Sequence, residues 1–279
     1  MTTNPATLEN LKTRIGEKME QLRDQHGSSR LARVEEFVQV MTGAMRAEPA
    51  SALQRPVLYF FPGLTDRAWH DAAPGWMGRL EEAFPAIRRE LDALLAQHAE
   101  FTPYVHGSDA DYRSEKFKLG ALSKNWTVYD LLEPVAESQC PETSRLIGEL
   151  FRPEFGEPVT AQFSALRPGA RIAPHCGIAN FFLTAHMGLV HSDGCSIRVG
   201  AETRGWVEGR GFVFDDSFEH EVWHDGDGVR IVFLARFWHP ELTDEEIESI
   251  GSLHECVIEA AGATEGAQRE ALMRLRGER

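Results

Sequence analysis

Two histidines and an arginine carry the chemistry that can be recognised in this sequence. His220 follows His175 by forty-five residues, and Arg230 follows His220 by ten. Imidazole is a good ligand for Fe(II), and two histidines with a carboxylate leave coordination positions open for a 2-oxo acid and dioxygen. An arginine can hold the far carboxylate of such an acid through paired hydrogen bonds. The usual carboxylate, two residues after the first histidine, is absent because Gly177 stands there.

A second pattern overlaps the first, because residues 220–224 read His-Glu-Val-Trp-His, as in zinc proteases. In those enzymes a helix brings both histidines to one face, with the glutamate poised as a base. Here an apolar run at 211–214 predicts a strand before the pattern, and Asp225-Gly226-Asp227-Gly228 would end a helix after one turn. The context therefore favours a strand, in which His224 is structural.

The elements that must position these residues change character near residue 158. Beyond it the chain consists of short β-type runs separated by Gly, Asp and Pro, which is typical of a sandwich or jelly roll, the architecture shared by cupins. In such a fold His175 and His220, on different strands, can meet at the mouth of the barrel. The predicted strands are 159–166, 181–190, 196–199, 211–214, 219–224 and 229–237.

Helical periodicity surrounds this β region. Apolar residues recur at three- and four-residue steps in two N-terminal runs and again at about 77–97. Thr243 and Glu246 form a predicted capping box at the start of a C-terminal helix. The predicted organisation is an N-terminal helical hairpin extension at 1–50, a helical and loop region on the substrate side at 51–157, a catalytic core at 158–243, and a C-terminal helix with a polar tail at 244–279.

The bulk properties exclude some classes of function. The chain has 279 residues, 42% of them hydrophobic, and a formal charge of −14, which argues against a nucleic-acid partner. A polar N-terminus and the lack of a long apolar run predict a cytoplasmic protein without a membrane span. The four cysteines show no paired spacing, so we expect thiols rather than disulfides. A homo-oligomer is left open.

A series of short motifs extends over about 158–243. They are Phe163-Ser164, Pro174-His175-x-Gly177, Asn180, His186-Met187-Gly188-Leu189-Val190, Gly194-Cys195-x-Ile197-Arg198, Trp206-x-Glu208-Gly209, the run 214–223, and Trp238-His239-Pro240-Glu241-Leu242-Thr243. The series resembles the aspartyl/asparaginyl β-hydroxylases, which are Fe(II)- and 2-oxoglutarate-dependent oxygenases. The resemblance implies a mainly β protein with flanking helices, built on a double-stranded β-helix core of the jelly-roll or cupin-like kind.

The resemblance also accounts for the missing carboxylate. Members of the family have glycine at the position of Gly177, so only His175 and His220 would bind the metal from the protein, as metal ligands and catalytic residues. Water would fill the vacant position. The cofactors implied are Fe(II), 2-oxoglutarate as co-substrate, and O2.

The same resemblance assigns the co-substrate contacts. Arg230 and Ser164 would hold the far carboxylate of 2-oxoglutarate, and His186 the carboxylate next to its keto group. Asn180 would lie near that pocket. Considered without the resemblance, His186 on an apolar strand fits a core histidine more readily, and Arg230 could pair with Asp216 or Glu219.

Two positions depart from the family pattern. An arginine that helps to bind the co-substrate in the animal enzymes is replaced by Thr184, two residues before His186. Where members often carry aspartate before Trp-His-Pro, this chain has Arg236-Phe237. These departures concern the binding of co-substrate and substrate rather than the metal site.

The predicted function is hydroxylation of an aliphatic carbon, in particular the β-carbon of an Asp- or Asn-type amino acid that is free, carrier-bound or peptidyl. The alternatives are an Fe/2-oxoglutarate halogenase, because a missing carboxylate admits halide, a lipid acyl-chain hydroxylase of the same family, a cupin with other metal chemistry, and a binding module. Basic residues on the substrate side could contact an anion or form a solvated face: Arg113, Lys116, Lys118 and Lys124.

Overall fold

The structure is a computed structural model that describes residues 5–71, 75–104, 125–150, 160–191, 193–262 and 264–278. The chain forms two compact units. The first consists of Met1–Asp66, Gly177–Phe181 and Trp238–Arg279, and the second of Arg67–Cys176 and Phe182–Phe237. The catalytic core predicted at 158–243 thus has two segments, Gly177–Phe181 and 238–243, that belong to the first unit.

In the described residues, helices lie toward both ends of the chain, and the strands within residues 160–238 follow one another between them. The helices are α1 Pro5–His26, α2 Ala32–Thr42, α3 Gly75–Glu82, α4 Phe84–Ala96, α5 Pro134–Gln139, α6 Pro141–Leu150, α7 Asp244–Ala261 and α8 Glu265–Leu275. The strands are β1 Thr102–Pro103, β2 Trp126–Asp130, β3 Thr160–Leu166, β4 Arg171–His175, β5 Phe182–Val190, β6 Cys195–Val199, β7 Glu202–Arg204, β8 Gly211–Phe214, β9 His220–His224 and β10 Arg230–Trp238.

Two antiparallel sheets form the β core of the second unit. One has the order β1-β2-β3-β10-β5-β8 and the other β4-β9-β6-β7. From β3 onward the chain passes from one sheet to the other after nearly every strand, and only β6 and β7 follow each other in the same sheet. The predicted double-stranded β-helix with flanking helices is therefore confirmed.

The strands of the two sheets differ in their pattern of apolar residues because they are buried to different extents. Along β6 and β9 buried residues alternate with partly exposed ones, as in strands with one face against the core. All but the last residue of β5 are buried, because apolar side chains of α3, α4 and α6 join those of the six-stranded sheet in one cluster. Members of that cluster include Met77, Leu80, Ile87, Leu91, Ile147, Leu183, Met187 and Phe233.

The prediction of one helix at about 77–97 is wrong in one respect, because the segment forms two helices. α3 ends at Glu82 and α4 begins at Phe84, with Ala83 as its N-cap residue. Pro85 occupies the first turn of α4, where its missing N–H is tolerated, whereas inside a continuous helix it would remove a hydrogen bond and clash with the preceding turn.

Helices dominate the first unit. α1 packs against α7, and α2 contacts both α7 and α8. The predicted capping box at the start of α7 is confirmed: Thr243 Oγ1 accepts a hydrogen bond from the Glu246 amide, and Glu246 Oε2 accepts one from the Thr243 amide at 2.9 Å. Arg33 Nε also donates to Glu246 Oε1 at 2.8 Å, which ties α2 to this cap.

Two further observations concern the cysteines and the length of the helices. No disulfide joins Cys140, Cys176, Cys195 and Cys256, all of which the structure describes. Among the described helices, none has the length and apolar character required to cross a bilayer.

Candidate functional site

His175 and His220 face each other across neighbouring strands of the second unit. His175 is the last residue of β4 and His220 the first of β9, and the two are direct partners in the antiparallel ladder. Their ring centroids lie 4.1 Å apart. The structure thus brings the two predicted metal ligands together.

A β-bulge places His175 opposite His220. Ile172 is paired with Val222, so a regular ladder would place Pro174 opposite His220, but the register shifts by one residue before His175. A shift of one residue changes which face of the sheet a side chain occupies, and bulges commonly re-aim side chains beside functional sites. Proline is tolerated at a bulge, because the ladder is interrupted there.

Both histidines are held by backbone carbonyl groups. Nδ1 of His175 lies 2.8 Å from the Ala173 carbonyl oxygen, and Nδ1 of His220 lies 2.9 Å from the Phe218 carbonyl oxygen. A carbonyl oxygen can only accept, so each Nδ1 must carry the proton and donate. In the neutral rings the lone pair is then on Nε2, which is how metal-binding histidines are usually oriented.

The environment keeps His220 neutral. Burial, and to a lesser extent the neighbouring His175, lowers the pKa of His220 to about 4, although Asp216 acts in the opposite direction. Metal binding requires a neutral imidazole, so the ring is ready to bind at neutral pH. Within the described ranges, no third His, Cys, Asp or Glu joins the pair to complete a cluster of three. The residues present therefore suit a metal that keeps most of its coordination positions for other ligands.

The zinc-protease pattern lies in β9 rather than in a helix. A strand rises roughly 3.3 Å per residue, so four residues separate His220 from His224 by about 13 Å. Both ring nitrogens of His224 are engaged: Nε2 donates to the Gly228 carbonyl oxygen at 2.6 Å, and Nδ1 accepts from the Gly226 amide at 3.2 Å. His224 is therefore a structural residue of the turn after β9.

Arg230 is a buried cation at the start of β10. Its side chain is 2% exposed, and Nη1 donates to the backbone oxygen of Ser164 at 3.2 Å. The guanidinium also lies over the Trp206 ring, 4.5 Å from its centroid, and contacts the Cys195 thiol. Among the residues that the structure describes, no carboxylate forms an ion pair with Arg230, and its Nε has no hydrogen-bond partner.

The two carboxylates that the sequence offered as partners of Arg230 form ion pairs with other arginines. Asp216 accepts from Arg236 Nη2 at 2.7 Å, and Glu219 pairs with Arg198 at 3.1 Å. Burial lowers the pKa of Arg230, but arginine stays protonated in proteins. A buried charge without a counter-ion is unfavourable, so this position suits an anionic ligand.

His186 offers a hydrogen-bond donor beside Arg230. Trp206 Nε1 lies 3.3 Å from His186 Nδ1, and because an indole N–H can only donate, Nδ1 accepts and Nε2 carries the proton. His186 Nε2 is buried and has no hydrogen-bond partner in the described part of the chain. Burial, followed by the charges of Arg230 and His220, holds the pKa of His186 well below 6.5. His186 is therefore neutral, and its tautomer is opposite to that of the two ligand candidates.

The other two residues predicted to contact the co-substrate, Ser164 and Asn180, lie in different units of the chain. The Ser164 hydroxyl accepts a hydrogen bond from Trp126 Nε1 at 3.0 Å and keeps its own proton for donation. Asn180 belongs to the first unit, where its side chain accepts from the Phe61 amide at 2.7 Å and donates to the Phe61 carbonyl at 2.9 Å. Its amide thus binds the backbone of Phe61, which is distant in the sequence, and its place near the co-substrate stays a prediction.

Sequence reasoning missed the role of one aromatic residue. The sequence assigns no site role to Trp206, but its indole N–H donates to His186 and its ring stacks on the Arg230 guanidinium. The motif Trp206-x-Glu208-Gly209 was the available signal. The basic residues predicted as anion contacts, Arg113, Lys116, Lys118 and Lys124, lie outside the described residues.

One family model matches the part of the chain that contains the candidate site. The family is described as Aspartyl/Asparaginyl beta-hydroxylase, and the match covers residues 81–240, which include His175, His220 and Arg230. Aspartate beta-hydroxylase domain-containing protein 1 of Homo sapiens is 31% identical over 229 residues, or 79% of this chain and 57% of that protein. Aspartate beta-hydroxylase domain-containing protein 2 of Mus musculus is 29% identical over 250 residues, or 87% and 71% of the two chains.

A shorter match has higher identity. Aspartyl/asparaginyl beta-hydroxylase of Mus musculus is 45% identical over 93 residues, which cover 33% of this chain and 13% of that protein. Among solved structures, a prolyl-4-hydroxylase of Pseudomonas putida superimposes with a TM-score of 0.38 and 13% identity, covering 58% of this chain and 98% of that one. The family match spans more than half of the 279 residues, so the chain belongs to the aspartyl/asparaginyl beta-hydroxylase family.

Proposed function

We propose that this protein is an Fe(II)- and 2-oxoglutarate-dependent dioxygenase that hydroxylates an aliphatic carbon. The favoured target is the β-carbon of an Asp- or Asn-type amino acid that is free, carrier-bound or peptidyl. Membership of the family supports a hydroxylase. The observation that carries the co-substrate assignment is the buried Arg230, which has no carboxylate partner among the described residues and lies in the same unit as the histidine pair.

The histidine pair would hold the metal. His175 and His220 would bind Fe(II) through Nε2, since their Nδ1 atoms are committed to backbone carbonyls. Bound iron, with 2-oxoglutarate and O2, supplies the oxidising chemistry: the co-substrate loses CO2 to become succinate, and the substrate C–H gains one oxygen atom. A site with two protein ligands leaves room for these reactants.

The co-substrate would be oriented by three neighbouring side chains. Arg230 and the Ser164 hydroxyl would bind the far carboxylate of 2-oxoglutarate by charge-assisted hydrogen bonds. His186 Nε2–H would donate to the carboxylate beside the keto group. Because His186 is neutral and its tautomer is fixed by Trp206, it would donate to the co-substrate without competing for the metal.

The same side chains would keep water from the co-substrate. Ser164, His186 and Arg230 are all buried, as are the aromatic rings of Trp206 and Phe214 around them. Low local polarity strengthens hydrogen bonds to a bound carboxylate and lowers the access of bulk water to the reacting centre. The chain would in this way favour transfer of oxygen to the substrate over unproductive turnover.

The test is turnover of 2-oxoglutarate by the full chain with Fe(II) and O2, against a panel of amino acids and peptides that contain Asp or Asn. We expect succinate and a product with one added oxygen atom. The His175→Ala/His220→Ala double variant should lose both, whereas His191→Ala, at an exposed histidine of the same unit, should keep them. Succinate formation that persists in the double variant would refute the proposal.

The same assay separates the alternatives. A chlorinated product in chloride-containing buffer would identify a halogenase, and an oxygenated fatty acyl chain would identify a lipid hydroxylase. Substrate oxidation that continues without 2-oxoglutarate would indicate a cupin with other metal chemistry.

A further inference from the structure

The first unit contains a cavity of about 490 Å³. It is lined by the end of α2, by the segments 45–49 and 54–60, and by residues just beyond α8. Every lining residue belongs to the first unit and lies outside the residues 81–240 that match the family. Its volume is in the range of small-molecule sites, roughly 300–1,000 Å³. The family match therefore says nothing about what this cavity binds.

The lining of the cavity is cationic in an acidic protein. Arg46, Arg55 and Arg276 contribute guanidinium groups, and Glu278 is the one acidic residue among the lining residues. The chain as a whole has a formal charge of −14. Three arginines and one glutamate make the lining cationic overall, which favours an anionic ligand.

Two of these arginines form no ion pair in the described part of the chain, although the charge of Glu278 acts on Arg276 from a greater distance. Arg46 forms no hydrogen bond or ion pair there, and Arg276 donates through Nη2 only to the Leu58 carbonyl oxygen. The Nε atom of Arg276 is buried without a hydrogen-bond partner among the described residues. A half-buried guanidinium with unused donors is unfavourable in isolation, and a bound oxyanion would satisfy it.

The backbone around Arg276 is closely packed. Gly43 ends α2 in the left-handed conformation, with φ 79°, and a Cβ at this position would lie 2.7 Å from the Arg276 Cα. The backbones of Gly43 and Arg276 therefore lie close together at the wall of the cavity. Leu58, Tyr59 and Phe60 provide apolar surface on the same wall. The cavity thus combines cationic groups with an apolar face.

We propose that this cavity binds a small organic oxyanion, a carboxylate or a phosphate monoester with an apolar or aromatic group, through Arg46 and Arg276. The charged head would take the unused guanidinium donors, and the apolar part would pack on Leu58 and Phe60. The site is separate from the proposed co-substrate contacts and requires no metal.

The test is isothermal titration of the full chain, without added iron, with benzoate, phenyl phosphate and the neutral analogue benzyl alcohol. We expect at least one of the two anions to bind and the alcohol not to bind, with an affinity that falls as salt increases. Tighter binding of phenyl phosphate would assign the site to phosphate esters, and tighter binding of benzoate to carboxylates. Equal affinity for the alcohol and the anions would overturn the proposal.

Variants locate the binding site. Arg46→Gln and Arg276→Gln should each weaken anion binding about tenfold or more, since hydrogen bonds to a charged group are stronger than those between neutral groups. Arg89→Gln, at an exposed arginine of the other unit, should leave it unchanged. Should Arg276→Gln fail to fold, Arg46→Gln decides the question, because its side chain is exposed and makes no described contact.

One further variant separates this cavity from the proposed co-substrate contacts. Arg230→Met should leave the affinity for the anionic probe unchanged. If Arg230→Met lost affinity for the anionic probe while Arg46→Gln kept it, the probe would occupy the proposed co-substrate contacts. The proposal of an anion site in this cavity would then be wrong.

Discussion

Arg236 Nη2 lies 2.7 Å from Oδ2 of Asp216, and the same oxygen accepts a hydrogen bond from Thr184 Oγ1 at 3.2 Å. Thr184 and Arg236 are two positions at which the resemblance predicts a departure from the family pattern, and they meet on one carboxylate. Asp216 precedes His220 by four residues, and its charge raises the pKa of His220 while the charge of Arg236 lowers it. The two departures therefore form one cluster beside the candidate metal site.

The Asp216–Arg236 pair should contribute to stability. Arg236→Gln leaves a carboxylate that is 4% exposed without its cation, and we expect a loss of about 2 kcal/mol in the free energy of unfolding. Urea denaturation measures this change. Arg236→Gln/Asp216→Asn should recover part of the loss, since the buried charge is removed as well. Arg210→Gln, which breaks an exposed pair with Glu81, should change stability by less than about 1 kcal/mol.

Removal of the Arg230 charge should not destabilise the fold, in contrast to removal of the Arg236 charge. Arg230→Met replaces a buried cation, which has no ion-pair partner among the described residues, with an apolar side chain of similar length. We therefore expect unchanged or higher thermal stability. The affinity for 2-oxoglutarate, titrated in the presence of Mn(II), should fall about a hundredfold, because a charge-assisted contact to its carboxylate is lost. A large fall in melting temperature would instead indicate that Arg230 has a structural role.

Trp206 should act on the co-substrate through His186. Trp206→Phe keeps a ring under Arg230 but removes the indole N–H that fixes the His186 tautomer. We expect the KM for 2-oxoglutarate to rise about tenfold while the fold is retained. Nitrogen-15 NMR of the histidine rings should show His186 protonated at Nε2 in the wild type and a mixture of tautomers in the variant. An unchanged tautomer would contradict this role.

His254 should make stability depend on pH. Its Nδ1 lies 2.9 Å from the Tyr59 hydroxyl, and burial lowers the pKa of His254 below 6.5, although Glu255 opposes the shift. The folded state therefore favours the neutral ring, and the unfolded chain takes up the proton first. Stability should fall as pH decreases below about 6.5, the unfolded value.

The variant His254→Gln isolates this contribution, because other histidines titrate in the same range. The difference in unfolding free energy between wild type and His254→Gln should change in favour of the variant between pH 8 and pH 5. A difference that is independent of pH would show that His254 does not titrate differently in the folded and unfolded states.

Local patterns were sufficient for much of the β core. The six strands predicted from alternation and turn residues agree with β3, β5, β6, β8, β9 and β10, with ends that differ by at most one residue where the structure describes them. The capping box of α7 was readable because it depends on residues three apart. The break between α3 and α4 was missed because the apolar periodicity continues through Pro85.

Relationships between distant residues were beyond the sequence. The bulge before His175 leaves no mark in the alternation of so short a strand. The contact of Trp206 with both His186 and Arg230 depends on segments that are distant in the sequence coming together in the fold. The meeting of Thr184 with Arg236 on Asp216 is of the same kind.

The pairing of β3 with β10 has a consequence for the order of assembly. Ser164 lies on the first strand of the double-stranded β-helix, and Arg230 begins the last one, directly beside it in the sheet. During synthesis, a nascent chain that extends only to β9 already contains both candidate metal ligands, whereas it lacks Arg230, the proposed cation for the co-substrate. Contacts between such distant parts of a chain form slowly. The ability to accept 2-oxoglutarate would therefore arise late, when the final strand closes the barrel.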